Sequence, residues 1–136
     1  MNTHTDTDIQ VPAEQFFRNF EAAWNAADGT RLGAEFADVT DFVNIRGWHL
    51  HCGPDLIGTA HQEIFDTIYR GSTNRIRLDR VREIAPGILL VHATSTLDAP
   101  TGPLAGVHQA KMSALLVEGD DRTWKATAFH NTLIHN

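Results

Sequence analysis

The order of the predicted secondary-structure elements constrains the fold of this chain more than any single motif does. Apolar residues recur at spacings of three and four over about Pro12–Ala27 and about Gly53–Tyr69, which predicts two amphipathic helices. A shorter helix is predicted at about Thr30–Phe36. A strand at about Thr40–Ile45 and a short return strand at Trp48–His51 precede the last helix.

The second half of the chain reads as strands alone. Apolar patterns bounded by turn residues predict four long strands, at about Arg75–Ile84, Ile88–Leu97, Val107–Val117 and Arg122–Leu133. Helices followed by successive strands are typical of an α+β domain, in which an antiparallel meander packs against the helices. At 136 residues the chain is long enough for one such domain with a proper core. We expect residues 12–136 to form this domain, after a frayed tail at residues 1–11.

Composition excludes several classes of partner. The formal net charge is -6 and no cluster of Lys and Arg appears along the sequence, which argues against a nucleic-acid surface and gives little support for binding an anionic membrane. Cys52 is the only cysteine, so no intrachain disulfide is possible, which fits a reducing cytoplasm. No apolar run approaches the ~18 residues of a membrane span, and the first ten residues lack the pattern of a signal peptide. We therefore expect a cytoplasmic protein.

One histidine stands out because it lies within an apolar helical stripe. His61 follows Ile57 by four residues and precedes Ile64 by three, so its ring is carried to the side of the helix that should face the interior. A buried polar group without a partner costs about 1–3 kcal/mol. His61 is therefore either a core histidine bonded to a backbone carbonyl or a polar group in a cavity.

The other histidines and the motif inventory suggest no metal or cofactor site. His49 and His51 alternate along a short strand at a spacing that can chelate zinc, but no third ligand lies near them in the sequence. His92 and His108 fall in central strands, on either the pocket face or the outer face of the sheet. The chain has no Gly-rich phosphate loop, no dinucleotide-binding fingerprint and no nucleophile elbow. We expect neither a metal nor a cofactor, which argues against the usual nicotinamide and flavin oxidoreductases.

Four segments cover much of the chain beyond the tail, namely FEAAWNAAD (Phe20–Asp28), ADVTDFVNIRGWHLHCG (Ala37–Gly53), IGTAHQEIF (Ile57–Phe65) and WKATAFHNTLI (Trp124–Ile134). Together with the order of elements, they resemble the nuclear transport factor 2-like superfamily, which includes ketosteroid isomerase and the SnoaL-like cyclases. The resemblance extends over nearly the whole chain beyond the tail. Within the superfamily, the sequence resembles the SgcJ/EcaC group of small bacterial proteins. The resemblance implies a cone-shaped α+β fold, with three N-terminal helices on a curved, mostly antiparallel sheet. It does not settle a reaction.

The resemblance also implies a pocket between the helices and the sheet. Its expected lining comes from the first and third helices and the first and last strands, at Trp24, Asp41 or Phe42, Asn44, His61, Phe65, and His130 or Asn131. Which strand face points inward depends on register, because a shift of one residue exchanges the faces. In the last strand the face with Ala126, Ala128 and His130 has the small, apolar character of a pocket wall, and we expect it to line the pocket.

The chemistry expected of such a pocket is acid–base catalysis by His61, His130 and Asp41, with Asn44 and Asn131 as hydrogen-bond donors. A carboxylate in an apolar pocket has a raised pKa, and histidine needs little shift to act near neutrality. The chain lacks the tyrosine donor of a ketosteroid isomerase-like site, since its only tyrosine is Tyr69.

Three functions remain open at this point. The chain is a cofactor-free enzyme on a small apolar, polyketide-like molecule, a non-catalytic binding module, or a structural subunit. The resemblance further implies a homodimer formed through the outer face of the sheet.

Overall fold

The structure is a computed structural model that describes residues 6–135. Over these residues the chain forms three helices and six strands, which confirms the predicted α+β class. In chain order they are α1 (Asp6–Asn25), α2 (Gly29–Gly33), β1 (Phe36–Val43), β2 (His49–Cys52), α3 (Pro54–Asp66), β3 (Thr73–Ala85), β4 (Ile88–Ala99), β5 (Gly106–Glu118) and β6 (Trp124–Leu133).

The strands form one curved sheet in the order β2-β1-β6-β5-β4-β3. The last four strands pair antiparallel in sequence, as the meander predicts. The last strand then lies parallel to β1, which in turn pairs antiparallel with β2. This parallel pairing places the first strand beside the last strand, so residues that are far apart in sequence share one end of the concave face.

Aromatic residues of α1 fill the space between that helix and the sheet. Phe16, Phe17 and Phe20 are each 2% exposed or less, because the helical stripe turns them onto the concave face. The Phe20 ring stacks on Phe129 of β6 with centroids 5.4 Å apart, and Phe16 meets Phe36 of β1 edge-on at 5.8 Å. Each such pair stabilises the fold by about 0.5–1.5 kcal/mol beyond the area that it buries.

Helix α3 is held by an unusually close approach to α2. A Cβ at Gly29 would lie 2.2 Å from the carbonyl oxygen of Gly58, so only hydrogen fits at this crossing. The Gly29 N–H also donates to the Gln62 side chain at 2.8 Å. These contacts fix the position of α3, and with it the direction in which His61 points.

The start of the first helix differs from the prediction. Pro12 was expected to begin it, but α1 extends from Asp6, and Pro12 lies within the helix. Residues 6–11 are therefore helical rather than part of a frayed tail, and Ile9 is 8% exposed because it packs against the core. The rest of the expected tail, residues 1–5, lies outside the described residues. Within the part of the chain that the structure describes, no helix is long and apolar enough to cross a membrane.

Candidate functional site

A cavity of about 150 Å³ lies between the concave face of the sheet and helices α1 and α3. Most of its lining is apolar, from residues such as Trp24, Phe42, Ile64, Leu97 and Met112. A smaller set of polar side chains shares this lining, namely Asn44, His61, Tyr69, Asn74, Ser95, His108 and Asn131. An apolar cavity with a few convergent polar groups is the usual form of a small-molecule site.

His61 is a buried titratable group of the cavity wall, at 8% exposure. Its Nδ1–H donates to the Ile57 carbonyl at 2.8 Å, because a carbonyl oxygen only accepts. In the neutral ring the lone pair is then on Nε2, which makes no hydrogen bond to the helix. His61 therefore has both of the features that the sequence left as alternatives: its ring is hydrogen-bonded to a backbone carbonyl, and it lines a cavity.

Aromatic rings surround His61 and keep it neutral. The Phe42 ring centroid lies 5.3 Å from that of His61, and those of Trp24, Phe65 and Phe20 lie at 6.1, 6.1 and 6.4 Å. Burial among these rings lowers the pKa of His61 below its ordinary value of 6.5, and the bond to Ile57 opposes this only in part. At neutral pH the ring is therefore an uncharged acceptor of a proton.

Two asparagines lie together at the end of β1 and on β6. Val43 pairs with His130, so the next residues along these parallel strands, Asn44 and Asn131, are neighbours. The Asn44 Oδ1 accepts the backbone N–H groups of Arg46 at 2.9 Å and Trp48 at 3.0 Å, which leaves its Nδ2 hydrogens as spare donors. The Asn131 Oδ1 is enclosed and has no hydrogen-bond partner among the described residues. This oxygen is therefore an unsatisfied buried acceptor of the cavity lining.

The structure corrects the expected phase of the last strand. The pairing shifts between Leu115, opposite Ala128, and Leu116, opposite Ala126, so Thr127 is the extra residue of a β-bulge. Beyond the bulge the faces exchange, and Asn131 rather than His130 lines the cavity. His130 is exposed on the outer face, away from the site that was expected to contain it.

Asp41 also lies outside the cavity. Its carboxylate is on the outer face of β1, where Oδ1 accepts hydrogen bonds from His49 Nε2 at 2.8 Å and His51 Nδ1 at 2.9 Å. The bond from His51, and then that from His49, lower the pKa of Asp41 below its ordinary range. The expected constellation of His61, His130 and Asp41 is therefore not assembled, because two of its members point away from the third.

The remaining predicted lining residues divide by position. Trp24 and Phe42 line the cavity, and the Trp24 Nε1–H donates to Ser72 Oγ at 3.0 Å. Phe65 does not reach the cavity, and its ring packs edge-on against Trp24 with centroids 4.9 Å apart. Phe65 therefore supports the wall from behind. Across residues 6–135, no group of three His, Cys, Asp or Glu side chains is arranged to hold a metal ion.

Four polar lining residues were missed as site residues by the sequence reasoning, namely Tyr69, Asn74, Ser95 and His108. Tyr69 follows Phe65 by four residues and so continues the inward stripe of α3 past its last turn, a signal that was present. Burial raises the pKa of the Tyr69 hydroxyl, which keeps it a donor. Asn74 precedes the inward-facing Ile76 by two residues, so alternation along β3 would also have placed it inward.

Comparisons with known proteins bear on the fold. The sequence matches no protein-family model and no curated protein. A domain of unknown function with a cystatin-like fold from Nostoc punctiforme is similar, with a TM-score of 0.85 at 24% identity over 97% of this chain and 81% of that one. A ketosteroid isomerase-like protein from Erwinia carotovora atroseptica has a TM-score of 0.79 at 14% identity, over 97% and 100% of the two chains. A putative scytalone dehydratase from Novosphingobium aromaticivorans has a TM-score of 0.78 at 12% identity, over 93% and 84%.

These likenesses show that the chain has the cone-shaped fold of the nuclear transport factor 2-like superfamily, as the sequence resemblance implied. At these identities they show the fold alone. The finer assignment to the SgcJ/EcaC group stays a prediction from the sequence.

Proposed function

We propose that the cavity binds a small apolar, polyketide-like molecule and that His61 acts on it as a general base without a cofactor. The observation that carries this proposal is the uncommitted Nε2 of a neutral, buried histidine in an apolar cavity. A base in such a place meets a ligand rather than bulk water, which favours proton transfer. An engineered cavity of about 150 Å³ in another protein accepts benzene, so this cavity has room for one ring of a larger ligand.

The polar neighbours of His61 can hold an oxygen of the ligand. The spare Nδ2 hydrogens of Asn44, the amide of Asn131 and the Tyr69 hydroxyl all belong to side chains that line the cavity. Donors that hold an oxygen while a base removes a nearby proton stabilise the charge that develops on that oxygen. The names of two similar structures, a ketosteroid isomerase-like protein and a putative scytalone dehydratase, are in keeping with proton-transfer chemistry.

Exchange of a carbon-bound proton tests this function without knowledge of the natural substrate. A compact cyclic ketone, 2-tetralone, is incubated with the protein in deuterated buffer, and incorporation of deuterium beside the carbonyl is followed by proton NMR. We expect the protein to accelerate exchange over buffer, and we expect His61→Gln to remove the acceleration. His130→Gln is the matched control, because it makes the same change on the outer face. Equal acceleration by all three proteins would refute the role of His61.

A binding module without catalysis is the second candidate. The absence of Asp and Glu from the described residues that line the cavity favours this second function. A nearby carboxylate would raise the pKa of His61 and make it a stronger base, and none of these lining residues supplies one. Binding of 2-tetralone without accelerated exchange, with shifts of the Met112 and Asn131 amide signals, would support this second function.

We also propose that the outer face of the sheet pairs with a second copy of the chain. Leu90, Leu115 and Ala128 face outward in register on three adjacent strands, opposite the helices. Sedimentation equilibrium tests this pairing. We expect a dimer that Leu115→Glu converts to a monomer, while Thr30→Glu on α2 leaves it intact. A monomeric wild-type protein would refute the proposal.

A further inference from the structure

A second set of polar side chains lies across the sheet, away from His61 and the asparagine pair. Asn74 of β3 pairs with Leu97 of β4, and Leu97 pairs with His108 of β5, so the three side chains form one row on the concave face. Ser95 lies two residues before Leu97 and therefore on the same face. All four line the cavity, and Asn74 and Ser95 are only 2% and 3% exposed.

The hydrogen bonds of this row leave both donors and acceptors unused. Ser95 Oγ–H donates to Asn74 Oδ1 at 2.6 Å, so the Nδ2 hydrogens of Asn74 and the lone pairs of Ser95 remain. His108 Nε2–H donates to the Leu104 carbonyl at 2.9 Å, so the lone pair of the neutral ring is on Nδ1. A hydroxyl group both accepts and donates, and it can satisfy one group of each kind here.

The row is also held rigidly by the first helix. The Asn25 side chain accepts from the Asn74 backbone N–H at 2.7 Å and donates to the Asn74 carbonyl at 3.0 Å. These two bonds fix the backbone from which the Asn74 side chain extends. A polar side chain that is buried and held in this way has the character of a built binding position.

The row lies along the sheet from the asparagine pair. Asn131 pairs with Met112 on β5, whereas Ser95 pairs with Ala110, so Ser95 lies about 7 Å from Asn131 along the strand at ~3.4 Å per residue, and His108 lies about 14 Å from it. A ligand that reaches from Asn131 to Ser95 is therefore longer than a single ring, and a two-ring molecule has this length.

We propose that Asn74, Ser95 and His108 form a subsite for a hydroxyl group at the far end of an apolar, two-ring ligand. This inference rests on the proposed binding function of the cavity and adds to it the chemical class of the ligand. The hydroxyl accepts a hydrogen bond from Asn74 Nδ2 and donates one to Ser95 Oγ or His108 Nδ1.

A matched pair of probes tests the subsite. 2-Naphthol and 2-methylnaphthalene differ by a hydroxyl in place of a methyl group, and their dissociation constants are measured by NMR titration of the labelled protein. The quantity of interest is the ratio of the two constants, since hydrophobicity and cavity shape affect both probes. We expect Ser95→Ala and His108→Phe each to shift this ratio against 2-naphthol by roughly fivefold, the effect of one neutral hydrogen bond.

Thr96→Ala is the control, because Thr96 is the neighbour of Ser95 on the opposite face of β4 and also loses a hydroxyl. We expect it to keep the wild-type ratio. His108→Phe keeps the test decisive if Ser95→Ala fails to fold. An unchanged ratio in both variants, with both probes still bound, would overturn the subsite while the binding function stands. A ratio that changes only in Asn131→Leu would place the hydroxyl at the other end and would also overturn it. Failure of both probes to bind would overturn the subsite together with the binding function.

Discussion

The neutrality of His61 makes a quantitative prediction for stability against pH. In the unfolded chain the ring titrates at its ordinary pKa of 6.5, whereas burial lowers the pKa in the folded state. Below 6.5 the unfolded chain therefore binds more protons than the folded chain, so the free energy of unfolding falls as the pH falls. The free energy of unfolding then changes by up to about 1.4 kcal/mol per pH unit, which is the value for one proton taken up on unfolding. Below the folded-state pKa this dependence on pH disappears, because both states are protonated.

The perturbation is His61→Gln, which removes the titrating group and keeps a polar side chain. Urea denaturation from about pH 7.5 to about pH 5 gives the free energy of unfolding of both proteins, and their difference cancels the other groups that titrate. We expect the difference to change by roughly 1 kcal/mol between about pH 6.5 and pH 5.5, with the wild type losing more.

His130→Gln is the control for this measurement. Its ring is exposed on the outer face, so we expect this variant to keep the pH dependence of the wild type. A difference between wild type and His61→Gln that stays constant to within about 0.3 kcal/mol across this range would refute the burial of a neutral ring.

Three further predictions concern the stability of the protein. Gly29→Ala should destabilise the protein by about 3 kcal/mol or more in urea denaturation, because its Cβ would meet the Gly58 carbonyl at 2.2 Å, while the exposed Thr30→Ala should have little effect. Asn131→Leu should leave stability unchanged or raise it by about 1 kcal/mol, because it removes an enclosed oxygen without a partner; a large loss would show that the amide is satisfied. Asp79→Asn should weaken the dependence of the free energy of unfolding on pH in the acid range. Burial raises the pKa of Asp79, but hydrogen bonds from Thr94, Arg77 and Lys111 outweigh it and lower that pKa to about 2. The wild type should therefore lose stability as the pH falls from 3.8 towards 2, and an equal loss in Asp79→Asn would contradict this.

The elements of the fold could be predicted because each has a local signal. The spacing of Phe16, Phe20 and Trp24 predicts a buried helical face, and the alternation in β3 to β6 predicts strands that pair in sequence. The extension of α1 before Pro12 was missed, since a proline inside a helix leaves the same local pattern as one that begins it. The parallel pairing of β6 with β1 leaves no local signal of its own, so the sequence did not predict it.

The site was harder to predict because it depends on strand phase and on pairing across the sheet. A single bulge at Thr127 moves His130 outward and Asn131 inward, and nothing in the local composition marks that residue. Asp41 was placed in the pocket as a candidate base, yet its partners are His49 and His51 on the neighbouring strand. The spacing of those two histidines suggests only a metal-binding pair, because the strand register that brings Asp41 beside them has no signal in the sequence.

The distribution of polar groups in the interior separates packing from function. Phe20, Phe36 and Phe129 pack against one another, and their side chains have no polar groups that require hydrogen bonds. Farther along the same concave face an unpaired amide oxygen on Asn131 is enclosed at a cost of about 1–3 kcal/mol, which a leucine of similar size would avoid. His61 contacts the aromatic core and also lines the cavity. Its Nδ1–H donates to the Ile57 carbonyl, and its Nε2 makes no hydrogen bond to the helix. A fold that needed only stability would fill this space with apolar side chains, so the unsatisfied oxygen of Asn131 favours the proposed binding of a ligand that completes its hydrogen bonds.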